Sequence, residues 1–309
     1  MITAHHNHAR CDRRKFIATT TALVAGTIVG QAAVLPAGPE PIIDIHQHTN
    51  YSGRTNDQLM AHQKAMGITT TILLPAGRLY GLAAQCGGNQ TVVEVAHEHS
   101  GEYLFFANEI TDDPGARAEI RKYLNKGAIG IGEQKFEVAA DSVDMNRIAE
   151  LAQEFRVPML LHFQEGTYNN GLDRFHHILD KFSRVRFLGH AQTMWANIDK
   201  NYDGKSLYPT GKVTPGGITD RLLTDYPNFY ADMSAGSGLN ALLRDEEHTV
   251  GFLERHQDKI LYGSDCNDVI GRGPGCQGAQ TIAAIRRLAS SKEIERKILY
   301  GNAKKMFRL

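Results

Sequence analysis

From Pro41 onward the chain repeats one unit, a short apolar run rich in β-branched residues followed by a longer stretch of helical period. Eight such runs occur, over residues 42–46, 68–74, 103–108, 128–132, 159–163, 186–190, 228–233 and 259–263. Near-continuous apolar runs of this length are strands buried on both faces, the condition of a parallel sheet covered by helices. Helices are predicted between them over 56–66, 91–99, 116–125, 144–155 and 173–182, and two more close the chain over 277–290 and 292–306. Eight strand–helix repeats predict a closed (β/α)8 TIM barrel, a single α/β domain over residues 38–309. An open doubly wound sheet more often has a Gly-rich phosphate-binding turn after its first strand, and residues 42–50 contain none. The segment 192–226 interrupts the pattern. Within it, 199–219 reads as a long loop over the sixth strand, where barrels place lids and specificity elements.

Residues 1–37 read differently. Arg13-Arg14-Lys15-Phe16-Ile17 opens a mildly apolar, Thr- and Ala-rich run to Val34, the layout of a signal peptide with a short linker. The twin arginine resembles the leader of the twin-arginine translocation pathway, with Ala18 where that pattern often has lysine. Thr19, Thr20, Thr21, Gly26, Thr27, Gly30 and Gln31 make the run too polar for a span of ~20 apolar residues. Cleavage after Ala32 would leave 30 basic and 33 acidic residues, a net −3, and would take His5, His6 and His8 away with the leader. The expectation is a periplasmic or secreted protein whose partners are the twin-arginine export machinery and a small-molecule substrate. The resemblance implies export of a folded chain, often with its cofactor already inserted. Across the whole sequence 34 basic residues balance 34 acidic ones, which excludes the basic field that nucleic acid would require.

Cys11 lies in the leader, which leaves Cys86, Cys266 and Cys276. No Cys-x-x-Cys spacing marks a structural zinc site. Cys266 and Cys276 bracket a glycine-rich loop and fit either a bridge in an oxidising compartment or a pair of buried thiols.

The sharpest chemical signal is Ile42-Ile43-Asp44-Ile45-His46-Gln47-His48, an apolar strand running into two histidines two residues apart. On a strand, i and i+2 share a face, so both imidazoles point into the barrel mouth, where barrel active sites lie. The spacing alone is weak. His97-Glu98-His99 repeats it at the end of a helical segment, where i and i+2 diverge, and reads as surface. His46 and His48 stand out by their company, because later strands end in His162, His190 and Asp265. Imidazoles and a carboxylate suit Zn²⁺ first, with Mn²⁺, Fe²⁺ and Co²⁺ as alternatives. A lone strand-end histidine is more often a core or rim residue, and His62, His176, His177, His248 and His256 keep that reading.

His-x-His on strand one, histidines ending strands five and six, and an aspartate ending strand eight together resemble the amidohydrolase superfamily. The closing Leu299-Tyr300-Gly301-Asn302-Ala303-Lys304-Lys305-Met306-Phe307 is similar to the terminal helix of its amidohydrolase 2 branch, which includes aminocarboxymuconate semialdehyde decarboxylase-like proteins. The resemblance implies a divalent-metal enzyme with His46, His48, His162 and Asp265 as ligands. It implies that His190 is either a ligand to a second metal or a hydrogen-bonding electrophile. Strand four offers Glu133, which in some branches joins the site, and Lys135, which in others is carbamylated to bridge two metals. One metal with Glu133 near it is the expectation, and an ordinary ion-paired Glu133 fits equally well. Asp265 would act as general base toward a metal-activated water, with His190 helping to polarise the carbonyl.

For substrate, Arg54, Arg78 and Arg244 fall in loops after strands one, two and seven and are candidates to hold a carboxylate; surface solvation is the alternative for each. Trp195 either stacks on a substrate ring or packs under the long loop. The loop 271–278 lacks the Lys-Ser/Thr of a phosphate-binding loop and reads as a rim of the site. The leading expectation is metal-dependent hydrolysis of a C–O or C–N bond in a small ester, lactone or amide. Non-oxidative decarboxylation on the same ligands is the runner-up. An exported, non-catalytic binding protein is the reading of another class, and loss of a ligand would favour it.

Overall fold

The computed structural model describes residues 40–77 and 86–309. The predicted leader and Arg78 lie outside these residues.

Eight parallel strands form the frame: β1 (Ile43–Gln47), β2 (Thr70–Leu73), β3 (Tyr103–Phe105), β4 (Ile131–Gln134), β5 (Met159–His162), β6 (Phe187–His190), β7 (Phe229–Asp232) and β8 (Ile260–Leu261). They pair in sequence order as two arcs, β1 to β3 and β4 to β8. The arcs join at one seam, where Ile129 N–H donates to the Phe105 carbonyl and Ala107 N–H to the Gly130 carbonyl, both at 2.9 Å. At the other, Ile45 N–H donates to the Tyr262 carbonyl at 3.1 Å and Asp265 N–H to the His46 carbonyl at 2.8 Å. Both seams bonded means a closed (β/α)8 barrel.

The hydrophobic residues divide as that closure requires. Ile43, Ile45, Ile72, Phe106, Leu160, Leu188 and Leu261 fill the interior, and Met306 and Phe307 of the last helix join them from below. The larger cluster lies between the strands and the helices, for example Leu161, Phe163, Phe175, Phe187 and Phe229. A capping box at Thr55 and Gln58 fixes the start of the helix Asn56–Met66, and Gly67, at φ 79°, ends it in the left-handed conformation that glycine adopts without a Cβ penalty.

Within the interruption at 192–226, the helices Gln192–Ala196 and Ile218–Asp225 flank the predicted long loop, the second helix overlapping its last two residues. Two further helices, Ala235–Leu243 and Glu246–Arg255, separate β7 from β8. Strand four begins later than the sequence suggests, because residues 129 and 130 are taken up by the seam with β3.

Candidate metal centre at the barrel mouth

Along β1 the pairing with β2 matches Asp44 to Thr71 and then Gln47 to Leu73, so β1 carries one residue more than its partner. Such a bulge lets two consecutive side chains face one way. Ile45 packs in the barrel interior while His46, the next residue, meets Asp232 at the centre of the mouth. Asp44 and Gln47 turn outward to Ser264: the Ser264 N–H donates to Asp44 Oδ1 at 2.8 Å, and Gln47 Nε2 to Ser264 Oγ at 2.6 Å. These bonds join β1 to the segment that delivers Asp265. That residue has φ 40°, a left-handed conformation that aspartate tolerates better than most.

His46 Nδ1–H donates to Asp232 Oδ2 at 2.6 Å, and His48 Nδ1–H donates to the Leu74 carbonyl at 2.7 Å. With Nδ1 of each ring committed, Nε2 is the atom each histidine turns to the mouth, and the two Nε2 atoms are 3.2 Å apart. Asp265 Oδ1 lies 3.4 Å from His48 Nε2 and 3.8 Å from His46 Nε2, and Glu133 Oε2 lies 3.6 and 3.5 Å from the same two atoms. Ligands at 2.0–2.1 Å from a tetrahedral zinc are roughly 3.3 Å from one another. The donor set fits a divalent cation in its middle.

The electrostatics point the same way. Burial lowers the proton affinity of His46, yet Asp265, Asp232 and Glu133 outweigh it and push the imidazole well above its usual range. His48 is likewise pulled down by burial but pushed up to about 10 by Cys86 and Asp265. A mouth that forces protons onto two buried imidazoles has surplus negative charge, which a metal ion would neutralise. Asp265 Oδ1 and His190 Nε2 are buried without a hydrogen-bond partner, as expected of atoms reserved for a ligand.

Glu133 reaches two groups. Its Oε2 faces His46 and His48, while its Oε1 lies 2.6 Å from His162 Nδ1 and 3.6 Å from His190 Nε2. His162 therefore clusters with Glu133 and His190 instead of joining His46, His48 and Asp265 in one set. Glu133 is paired with histidines, not with a cation of an ordinary surface salt bridge. Behind His190, Ser234 Oγ donates to Asp232 Oδ2 at 2.9 Å and accepts from His190 Nδ1–H at 2.9 Å. Burial, aided by His46, holds His190 well below the usual imidazole range, so the ring is neutral and its Nε2 is a lone pair. Asp232 thus orients both His46 and His190.

Among the substrate candidates, Arg54 is a correction. Its Nη1 donates to the Cys266 and Asp268 carbonyls at 2.8 and 3.0 Å, and its Nη2 to Gln47 Oε1, so it ties the loop after β8 to β1, buried and outside the lining of the mouth cavity. Trp195 is another. Only 2% exposed, it packs near Phe252 and donates Nε1–H to the Asp232 carbonyl at 3.1 Å, so it supports the site from the core. Arg244 pairs with Asp199 at 3.2 Å and anchors the long loop. That loop does reach the mouth through Tyr208, which with Tyr51, Lys135, Gln192, Ser237 and Gln277 lines a cavity of about 200 Å³ over His162, His190 and Asp265.

Three residues there escaped sequence reasoning or were underweighted. Tyr51 packs edge-on to His48 at 5.1 Å, and the nearby Asp265 charge raises its hydroxyl, keeping it protonated. Asp232 ends β7 as Asp265 ends the β8 segment, and the same strand-end signal marks it. Lys135, considered only for carbamylation, faces the cavity with its ammonium unpaired by any carboxylate within 4 Å among the described residues. Burial lowers its proton affinity, but Glu133 and Asp265 outweigh it, so it is a cation.

The fold and this constellation define a metal-dependent (β/α)8-barrel enzyme. The amidohydrolase family model matches residues 43–309, and the chain belongs to that family. No curated protein matches the sequence. Among solved structures, the barrel is similar to an uncharacterized TIM-barrel protein from Bordetella bronchiseptica, with 12% identity, TM-score 0.65, and 87% of this chain and 99% of that one covered. It is also similar to 2,6-dihydroxybenzoate decarboxylase from Rhizobium, with 14% identity, TM-score 0.58 and the same coverage. A third is a probable 2-pyrone-4,6-dicarboxylic acid hydrolase from Acinetobacter baumannii, with 12% identity, TM-score 0.55, and again 87% and 99% covered. At these identities the likeness is one of fold.

Proposed function

We propose that this enzyme hydrolyses a C–O or C–N bond in a small carboxylated ester, lactone or amide, using a divalent metal held by His46, His48 and Asp265 with Glu133 beside them. The observation that carries the reading is the pair of Nε2 atoms 3.2 Å apart, facing two carboxylates, with both Nδ1 atoms bonded away from the mouth. Zinc suits this donor set best, and when bound it would supply Lewis acidity and a water acidified to a pKa of ~7.

The chain's own residues supply the rest. Burial raises the Asp265 carboxyl, but His46 and His48 take it below the ordinary carboxylate range, so it is ionised and able to accept the water proton. Returning that proton to the leaving group completes the cycle with the base restored. His190, held neutral and oriented by Ser234 and Asp232, presents a lone pair rather than a proton, which favours its ligand reading over the electrophile. Glu133, with His162 and His190 on its other oxygen, is placed to share a second ion. Lys135 would hold the substrate carboxylate, an interaction strengthened by the half-buried setting. The resemblance of Arg13-Arg14-Lys15-Phe16-Ile17 to a twin-arginine leader supports action outside the cytoplasm.

The test is product analysis with zinc-loaded protein on lactones, esters and carboxylated aromatics. Hydrolysis adds one water and releases an acid, and Lys135→Met should raise KM about tenfold for carboxylated substrates while leaving neutral analogues unaffected. Carbon dioxide release without water addition would replace the hydrolase by a decarboxylase. Metal binding with no turnover of any kind would favour the binding-protein reading.

A further inference from the structure

Behind the mouth, under the loop that follows β8, a second group of donor atoms plays no part in the proposed reaction. His62, on the helix Asn56–Met66, is fully buried and aims Nε2 at Cys276 Sγ, 3.3 Å away. Cys276 Sγ lies 3.9 Å from Cys266 Sγ. All three side chains are buried, and their ligand atoms lie within 4.8 Å of one another. Asp268 Oδ2 stands 3.9 Å from His62 Nε2 and is held by the backbone N–H groups of Ile270 and Gly271 at 2.9 and 2.7 Å.

We propose that His62, Cys266 and Cys276 form a separate site for a zinc-like ion, with Asp268, beside His62, the carboxylate next to its fourth position. Bond lengths of about 2.3 Å to sulfur and 2.0–2.1 Å to nitrogen place tetrahedral ligands roughly 3.8 Å apart for S···S and 3.5 Å for S···N. The observed 3.9 and 3.3 Å match those edges. A disulfide would instead require the two sulfurs to close to about 2.0 Å. Met66 Sδ, 3.6 Å from Cys276 Sγ, is a softer neighbour that zinc takes less readily than a carboxylate. On binding, both thiols release their protons to solvent and no redox partner is needed.

The site has a structural consequence. Its ligands come from the helix after β1, from the residue following Asp265, and from Cys276 at the start of the helix Gln277–Leu288. An ion there ties all three together and fixes the backbone that carries Asp265. Gly271 suits this crowding: at φ 75° it packs so closely that a Cβ would meet the His62 carbonyl at 2.4 Å.

Cobalt substitution of the full-length, reduced protein tests the assignment, because thiolate-to-cobalt charge-transfer absorption reports sulfur ligation only. The band is expected in the parent protein, in Cys86→Ala and in His46→Ala/His48→Ala. It should vanish in Cys276→Ser and in the size-matched His62→Gln, with zinc content falling by about one ion per chain in each. A parent protein with no such band, or with zinc content unchanged by both substitutions, would overturn the proposal. A mass lighter by two hydrogens, with Cys266 and Cys276 protected from thiol reagents after unfolding, would replace the ion by a disulfide.

Discussion

The two ends of the barrel are built from the same eight strands and differ in almost every other respect. At the carboxyl end, His46, His48, Glu133, His190, Asp232 and Asp265 are buried polar groups, with His190 Nε2 and Asp265 Oδ1 left without a hydrogen-bond partner. At the opposite end, Ile43, Ile72, Phe106, Leu188 and Leu261 meet Met306 and Phe307 in one buried apolar cluster. The mouth gathers like charge and bare lone pairs at a cost in stability, and the apolar floor offsets that cost. Function and stability are thus separated along the barrel axis, and a substitution should report which end it touches.

The largest effect is expected from His46→Ala combined with His48→Ala, which removes two ligands together. Activity should fall at least about a thousandfold, roughly 4 kcal/mol of transition-state stabilisation, while circular dichroism still shows a folded barrel. Metal analysis beside the kinetics checks it, and retained activity would mean that the chemistry resides elsewhere. At the floor the pattern reverses. Phe106 is fully buried and packs 5.8 Å from the ring of Phe307. Phe106→Ala should cost about 3–5 kcal/mol of unfolding free energy with kcat unchanged at a temperature where the variant is folded. A large loss of kcat without a loss of stability would dissolve the division between the ends.

Asp232→Asn probes the boundary between them. Asp232 touches no open position of the mouth and acts through His46 and His190. Replacing its charge should weaken metal affinity about 10- to 100-fold. A positioning role predicts that excess metal restores most of the rate. Equal loss at saturating metal would instead make Asp232 part of the chemistry.

The sequence displayed the barrel because strand period, helix period and their eightfold alternation are local properties. His46 and His48 were legible for the same reason, although the bulge that brings His46 inward directly after Ile45 was not: it depends on pairing with β2. The contrast with His97 and His99 held, since those residues close the helix Asn89–Glu98 and its cap. Arg54 was misjudged because the carbonyls it binds belong to Cys266 and Asp268, more than 200 residues away. His62 passed as an ordinary helical histidine for the same reason, its two sulfur neighbours lying on the opposite side of the chain. Asp232 was within reach of sequence reasoning, because it ends β7 just as His162 and His190 end β5 and β6. The helix Ala235–Leu243 was hidden by Gly236 and Gly238, which lower helix propensity in a segment that packing nevertheless holds helical.

Trp195 gives the smallest and most discriminating test, because it lies beneath the mouth without entering it. Its indole N–H holds the Asp232 carbonyl at 3.1 Å, and its ring is enclosed by the core. Trp195→Phe keeps much of the apolar volume and removes that one donor, so the expected loss is about 1 kcal/mol of stability for an unsatisfied carbonyl. Because the carbonyl belongs to the residue that orients His46 and His190, kcat should drop two- to threefold at most, and KM should not change. A several-fold rise in KM specific to aromatic substrates would place the ring against substrate after all, and the core would then extend into the binding site.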